Sequence, residues 1–360
     1  KGLRKKRPGV TIALTGCMVD SRIDDLERRF PWVDLFFRPQ QWDVLSQWAE
    51  SHQLSGLHQS ELLVPRHPSL SVYVPIMHGC DSFCSYCVVP YRRGRARSRE
   101  IDEICCQVEN LAQRGTREVI LLGQIVDAYG EDLSSKPDLA DLLARLNKIK
   151  GILRIRFLTS HPSYMSHKLI QAMADLEKVC EHISLPIQAG DNDILKAMRR
   201  GYTAEGYADL VNHIRRTIPG VAISTDVIVG FPGETDEQFA RTMDVLRHTR
   251  FDKVHIAAYS SRPDTIAAKK LKDDVTAEQK ELRRSQAEAL QNAIAAEINA
   301  IFVGRTVEIL VEGKKKGKWY GRTRGDKLVF FPNEADLTGQ LVKIKIQRTS
   351  PFVLQGTLGS

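Results

Sequence analysis

MHGCDSFCSYCVVPY, residues 77–91, sets Cys80, Cys84 and Cys87 inside one eight-residue window as C-x-x-x-C-x-x-C. Three thiols this close, on a glycine-containing turn after an apolar strand, can converge on one metal cluster. An ordinary [4Fe-4S] cluster takes four thiolates, one per iron. Three cysteines with no fourth close by leave one iron open, which a catalytic centre needs and a purely structural site avoids. The rival is zinc, with His78 as a fourth ligand. Zinc ribbons pair two C-x-x-C knuckles or add histidines at fixed spacing, and no second knuckle follows here. The spacing favours iron–sulfur. Tyr86, between the last two cysteines, can sit beside the adenine of a bound nucleoside.

Outward from this stretch the chain alternates regularly. Strand-like apolar runs occupy 72–77, 118–123, 154–159, 182–187, 222–229 and 253–259. Helical periods fill 98–114, 138–149, 166–178, 191–217 and 235–248. Strands separated by helices predict parallel β/α units. Six repeats rather than eight predict an incomplete barrel, with functional residues at the C-terminal strand ends. Cys80 follows the first of these strands. The other strand ends carry Gln124 (LLGQIVDAYG, 121–130), FLTSHP (157–162), Gln188 and Gly190 (LPIQAG, 185–190), Asp226 and Gly230 (TDVIVGFPGE, 225–234) and Tyr259 (YSSRPDT, 259–265). Singly each fits a turn or a packing device. Together at one mouth they predict a polar rim around a ligand pocket.

Upstream, residues 10–16 read as a strand ending at Cys17. A helix over Ser21–Phe30, a strand over 33–37 and a helix near Gln41–His52 follow, and 53–70 read as a linker. This βαβα piece is too small to close a sheet of its own, and the chain opens on Lys1 rather than Met. Downstream, Thr276 with Gln279 predicts a capping box for a helix from Ala277 to Phe302. Short alternating strands at 305–312, 319–323, 327–331 and 341–346 then predict a small antiparallel β-barrel. Cys105 and Cys106 fall on a helix, with at least one expected in the core, and Cys180 is expected to be packing.

The formal net charge is +8, and the last 58 residues hold 11 basic against 5 acidic residues. A second basic run, Arg92, Arg93, Arg95, Arg97 and Arg99, follows the cysteines. A charge run is ordinarily a solvated face. Two of them, one beside a cluster motif and one in an end domain, favour a polyanion, RNA or DNA rather than membrane. Arg92, Arg93, Arg95, Lys314, Lys315, Lys316, Arg322 and Arg324 are the candidate RNA contacts. Trp319, Tyr320 and Phe330 are candidate stacking platforms, although aromatics in a small barrel are more often core. No apolar run approaches the roughly 18 residues of a membrane span. Seven cysteines, an odd number without a regular framework, suit a reducing compartment, so the cytoplasm is expected.

HGCDSFCSYCVVPYRRGRARSR (78–99), LGQIVDAYG, TSHP, LPIQAG, AMRRGYT (197–203), TDVIVGFPGET and YSSRPDT together resemble the radical S-adenosylmethionine (SAM) methylthiotransferases. Within that family the LGQ and TSHP strand ends resemble the branch that modifies isopentenyl-adenosine at position 37 of tRNA. Branches acting on threonylcarbamoyl-adenosine or on a ribosomal protein are the alternatives, and an RNA-binding protein with structural zinc is the alternative of another class. The resemblance implies an α/β fold divided at 1–64 (part of an N-terminal α/β domain), 65–298 (a partial (β/α)6 radical SAM core) and 299–360 (TRAM, an RNA-binding β-barrel). It implies a [4Fe-4S] cluster on Cys80, Cys84 and Cys87 that binds SAM through its open iron. The resulting 5′-deoxyadenosyl radical abstracts hydrogen from C2 of the adenine, and a second SAM supplies the methyl group. Tyr86, Gln124, Gln188, Gly190, Asp226, Gly230 and Tyr259 are the implied SAM contacts. The implied partners are a tRNA anticodon stem-loop and a one-electron donor such as flavodoxin or ferredoxin. A second [4Fe-4S] cluster handles sulfur in this family and rests on three N-terminal cysteines. Only Cys17 matches, and the other two are expected before Lys1. The family usually has Asn where Ile125 and Asp127 stand here.

Overall fold

The structure, a computed structural model, describes residues 2–16, 19, 23–38, 41–52 and 68–359. Cys17 and most of the expected linker lie outside the described residues. The N-terminal piece comprises α1 (Gly2–Lys6), β1 (Ala13–Leu14), α2 (Ile23–Arg29), β2 (Leu35–Phe36) and α3 (Trp42–Ser51). β1 and β2 pair in parallel as a two-stranded sheet. Val19, Leu26 and Phe36 form its small apolar core.

The central unit begins with β3 (Ser71–Pro75). A short hairpin follows, β4 (Met77–His78) against β5 (Arg97–Ser98), with α4 (Val89–Arg93) in its long loop. Then come α5 (Ile101–Gln113), β6 (Glu118–Leu122), α6 (Leu139–Leu146), β7 (Arg154–Phe157), α7 (His167–Asp175) and β8 (His182–Ser184). After α8 (Asn192–Ala197) and α9 (Ala204–Thr217) come β9 (Ala222–Val229), α10 (Asp236–Thr249), β10 (Lys253–Ala258), α11 (Ile266–Lys270) and α12 (Ala277–Ala300). The β3-β6-β7 and β8-β9-β10 strands form two parallel three-stranded sheets. An Ile155–Val179 bridge and a Ser160 N–H to Ser184 carbonyl bond of 3.0 Å join them into an open six-strand arc. The expected partial barrel is present. Its apolar inner and helix-facing positions share one core, including Val74, Val119, Ile155, Ile183, Val227 and Phe251.

The helical period over 191–217 predicted one helix, and the structure has two. Arg199 and Gly201 take left-handed backbone, φ +58° and +73°, and the chain reverses between α8 and α9. Helix starts follow their sequence signals. Thr276 and Gln279 form the capping box of α12, and Thr235 with Gln238 does the same for α10.

β11 (Thr306–Lys315), β12 (Lys318–Thr323), β13 (Leu328–Phe331), β14 (Leu341–Thr349) and β15 (Val353–Leu358) close a barrel in the order β11-β12-β13-β15-β14. β15 had no counterpart among the four expected strands. It pairs with β13 in parallel, so the barrel is not wholly antiparallel. Trp319 lies in its core with Val329, Phe331, Ile344 and Leu354 rather than on a stacking surface.

This barrel docks on the N-terminal ends of the central strands, opposite the mouth. Arg156 of β7 donates to the carbonyls of Arg324 (2.7 Å) and Thr323 (2.6 Å), and forms a buried 2.9 Å ion pair with Glu118. Arg324 in turn grips both carboxylate oxygens of Glu181, each at 2.7 Å.

Candidate active site

The cysteines lie in the loop of the β4–β5 hairpin. Gly79 has φ +75°, and a Cβ there would meet the Arg95 carbonyl oxygen at 2.0 Å, so only glycine lets the two sides of the loop close. The Cys80 N–H reaches the Gly94 carbonyl at 3.1 Å. Two connections of the arc then clamp the loop across the mouth. Ser85 donates its N–H to Met198 (3.0 Å) and its hydroxyl to Ala197 (2.7 Å), both carbonyls at the end of α8. The Ala267 N–H of α11 donates to the Ser85 carbonyl at 2.7 Å.

Cys80 and Cys84 are buried and Cys87 is half-buried, all as free thiols. Burial pushes the Cys80 thiol up, and the Cys87 thiol to about 11. Ligation would expel those protons, since the thiolate is the metal ligand. Among the described residues no three His, Cys, Asp or Glu side chains are grouped to hold a single metal ion. A zinc ion would draw its sulfurs to about 2.3 Å from one point, whereas a [4Fe-4S] cluster spreads its thiolates over separate irons. Three soft thiols on one loop, with no fourth beside them among the described residues, are a donor set that fits the cluster.

Gln124, Gln188, Gly190, Gly230 and Tyr259 lie just past the C-terminal ends of β6, β8, β9 and β10, and Asp226 lies within β9. Gln124 follows β6, and its buried Oε1 has no hydrogen-bond partner among the described residues; Ser160 Oγ, after β7, is in the same position. Two unpartnered polar atoms at neighbouring strand ends fit a polar ligand. Gln188 has φ +73° and bridges to β9 through its backbone. Asp226 faces His255 and Lys253, and burial raises its carboxyl pKa. A Cβ on Gly190 would meet Thr242 Cα of α10 at 2.6 Å, so Gly190 is fixed by helix packing. The Gly230 N–H donates to Glu234 at 2.6 Å. Tyr259 packs edge-on against Phe231, centroids 5.2 Å apart, in a cluster that includes Met198 and Ala267, with Tyr86 at its edge. A cavity of about 290 Å³ opens beside Cys80, walled by Met77, Asp81, Ile125, Glu131 and Tyr164.

Three residues at the mouth escaped the sequence reading. Arg200 is buried and donates to Cys84 Sγ at 3.3 Å. Tyr202 receives Arg200 Nε at 2.8 Å and donates to the Ile187 carbonyl at 2.9 Å. Asp127 caps the His161 N–H with both oxygens, at 3.0 and 2.9 Å. Arg200 and Tyr202 lie in the quoted AMRRGYT run, and Asp127 was flagged as a departure. No spacing rule turned any of them inward.

The basic residues divide. Lys314, Lys315 and Lys316 are exposed at the β11–β12 hairpin tip. Arg92 pairs with Asp264 at 3.4 Å and Arg95 with Asp81 at 2.8 Å, while Arg93 is half-buried beside them. Arg322 bonds Asp326 and Glu312, and Arg324 is held by Glu181 in the seam between barrel and core. These last two guanidinium groups are committed within the chain.

A six-strand arc with a three-cysteine loop at its mouth defines a radical SAM enzyme. A family model described as "Radical SAM superfamily" matches residues 74–246, and one described as "TRAM domain" matches 301–358. The cobalamin-dependent radical SAM enzyme OxsB shares this fold at a TM-score of 0.53 and 12% identity, over 78% of this chain and 42% of that one. The tRNA-2-methylthio-N(6)-dimethylallyladenosine synthase of Dehalococcoides mccartyi is 48% identical over 99% of this chain and 83% of its own length. Its counterpart in Roseiflexus sp. is 50% identical over 99% of this chain and 76% of its own length. The chain belongs to the family of these radical SAM methylthiotransferases, whose radical SAM domain works with a [4Fe-4S] cluster and SAM. No described helix is long and apolar enough to cross a membrane.

Proposed function

We propose that this chain adds a methylthio group to C2 of N6-isopentenyladenosine at position 37 of tRNA, in the cytoplasm. The observation that carries this reading is the clamped loop, which presents three thiols, with no fourth cysteine beside them among the described residues, at the mouth of the arc. In the proposal Cys80, Cys84 and Cys87 hold the SAM-binding cluster. When bound, that cluster supplies electrons from a flavodoxin- or ferredoxin-like donor for reductive cleavage of SAM. Gln124 offers its unpartnered Oε1 to SAM, with Tyr86 and Tyr259 as apolar walls. Gln188 and Asp226 supply polar atoms, while Gly190 and Gly230 shape the mouth through packing, since a Cβ there would strike Thr242 and Lys280. Cys17 belongs to the ligand set of the second [4Fe-4S] cluster. The protein's part is to position these groups and to keep water from the reacting base.

The domains follow the division 1–64, 65–298 and 299–360. An anticodon loop suits the mouth, because an unpaired base leaves its stack at little cost. Lys314, Lys315 and Lys316 carry the phosphate contacts of the end barrel, and Arg93 and Arg95 those beside the cysteines, where Arg92 is largely covered and paired with Asp264. Arg324 acts by fixing the barrel to the core through Glu181, and Arg322 by tying Glu312 and Asp326 together within the barrel. Mass analysis of tRNA nucleosides from cells lacking the gene tests the substrate. Loss of methylthio-isopentenyladenosine, with its unmethylthiolated precursor accumulating, is expected. Unchanged levels, or loss of a threonylcarbamoyl derivative instead, would overturn the assignment.

A further inference from the structure

Arg200 brings a positive charge against Cys84 from inside the protein. The residue is only 6% exposed. Its Nε donates to the Tyr202 hydroxyl at 2.8 Å, Nη2 to the Pro186 carbonyl at 3.1 Å and Nη1 to Cys84 Sγ at 3.3 Å. These partners are a phenol, a carbonyl and a thiol, with no carboxylate among them. A buried cation is ordinarily paired, because leaving its charge uncompensated in a low-dielectric interior is strongly unfavourable. Among its hydrogen-bonded partners the cysteine sulfur is the one that becomes anionic on ligation, and the buried carboxyls of Asp127 and Asp226 feel the same cation without bonding to it.

The turn that aims Arg200 inward is fixed from several sides. Arg199 and Gly201 flank it with φ of +58° and +73°. Tyr202, whose ring lies 5.3 Å from the guanidinium carbon, shares its one hydroxyl proton between the carbonyls of Ile187 (2.9 Å) and Pro186 (3.1 Å). The end of α8 just before this turn also holds Ser85 of the cysteine loop. One turn therefore sets both the loop and the charge behind it.

We propose that Arg200 is a positioning residue that sets the reduction potential of the cluster on Cys80, Cys84 and Cys87, through its bond to the Cys84 sulfur and its buried charge. The proposal rests on those cysteines being the cluster ligands. Reduction adds one electron to an assembly that three thiolates already make anionic. A cation in a low-dielectric setting favours the more negative state, and net charge and hydrogen bonds to sulfur are established levers on such potentials. Arg200 therefore raises the potential toward the reach of a one-electron donor.

The test compares anaerobically reconstituted wild type, Arg200→Gln, Arg200→Lys, Tyr202→Phe and Cys84→Ala. Iron content, the midpoint potential from a redox titration followed by electron paramagnetic resonance, and SAM affinity are measured on each. Arg200→Gln should load iron as wild type does and shift its midpoint to more negative potential. Arg200→Lys should recover part of that shift. Tyr202→Phe, which loosens the guanidinium without removing charge, should show a smaller shift of the same sign and serves if Arg200→Gln folds poorly. Unchanged midpoints in the Arg200 and Tyr202 variants would overturn the proposal. So would an unchanged midpoint with SAM affinity at least tenfold weaker, which would make Arg200 a ligand of SAM. Failure of the wild type to load, or loading by Cys84→Ala equal to wild type, would instead remove the ligand assignment beneath it.

Discussion

Asp127 is a carboxylate at the mouth, 8% exposed, with both oxygens on the His161 N–H. Burial pushes its pKa up to about 7, against 3.8 for an ordinary aspartate. A group raised in this way adds stability below its unfolded pKa and loses that contribution as pH climbs through its folded one. The term is thus full below pH about 4 and gone above about 7, and is worth at most about 4 kcal/mol at ~1.4 per unit. Asp127→Asn should flatten the fall in melting temperature across that window and leave the variant the more stable protein above it. Parallel wild-type and variant curves of melting temperature against pH would refute this. Single residues also mark the limit of sequence reading. The cysteines declare themselves by spacing, whereas Arg200 sits beside exposed Arg199 in a run that reads as continuous helix. Only the left-handed residues on either side send one arginine inward.

At the scale of elements, the six parallel strands were legible because each is a short apolar run between helical periods, and the mouth followed from them. The break between α8 and α9 was not, because one helical period runs through both. Gly190 shows how an element can claim a residue expected to serve a ligand. Its absent Cβ admits the backbone of α10 at Thr242 and Arg241, the latter's carbonyl at 2.8 Å from where that Cβ would be. Gly190→Ala should cost about 1–3 kcal/mol in denaturant unfolding, as overpacking does. Weaker SAM binding at unchanged stability would return Gly190 to a ligand-only role.

Across the whole molecule, the basic end barrel was legible from composition and alternating strands, but not where it docks. From sequence, Arg322 and Arg324 look like Lys314–Lys316, since a charge run reads alike whether it faces solvent or another domain. The structure seats the barrel at the closed end of the arc, where Arg156 and Glu118, each 3% exposed, form an ion pair under its 322–326 turn. Arg156→Ala strands Glu118 and should destabilise the chain by roughly 3–5 kcal/mol. Unfolding measured at fixed pH checks this, and a loss below about 1 kcal/mol would deny the pair its role. Removing 303–360 would uncover the same pair, so the RNA role of the barrel is better tested at the hairpin tip. Replacing Lys314, Lys315 and Lys316 with Ala together should weaken tRNA binding and lower its salt slope by up to about 3, with melting temperature unchanged. Equal slopes would show that this charge is solvation.

The claim on which the account rests is that three thiols at the mouth hold a cluster with an open iron. Anaerobic reconstitution, followed by SAM and a strong reductant, tests it most directly, with 5′-deoxyadenosine as the readout. The wild type should give a reducible [4Fe-4S] signal that changes on adding SAM, and should release 5′-deoxyadenosine. Cys84→Ala should do neither while still binding tRNA. A protein that takes up zinc alone and forms no 5′-deoxyadenosine would contradict the account.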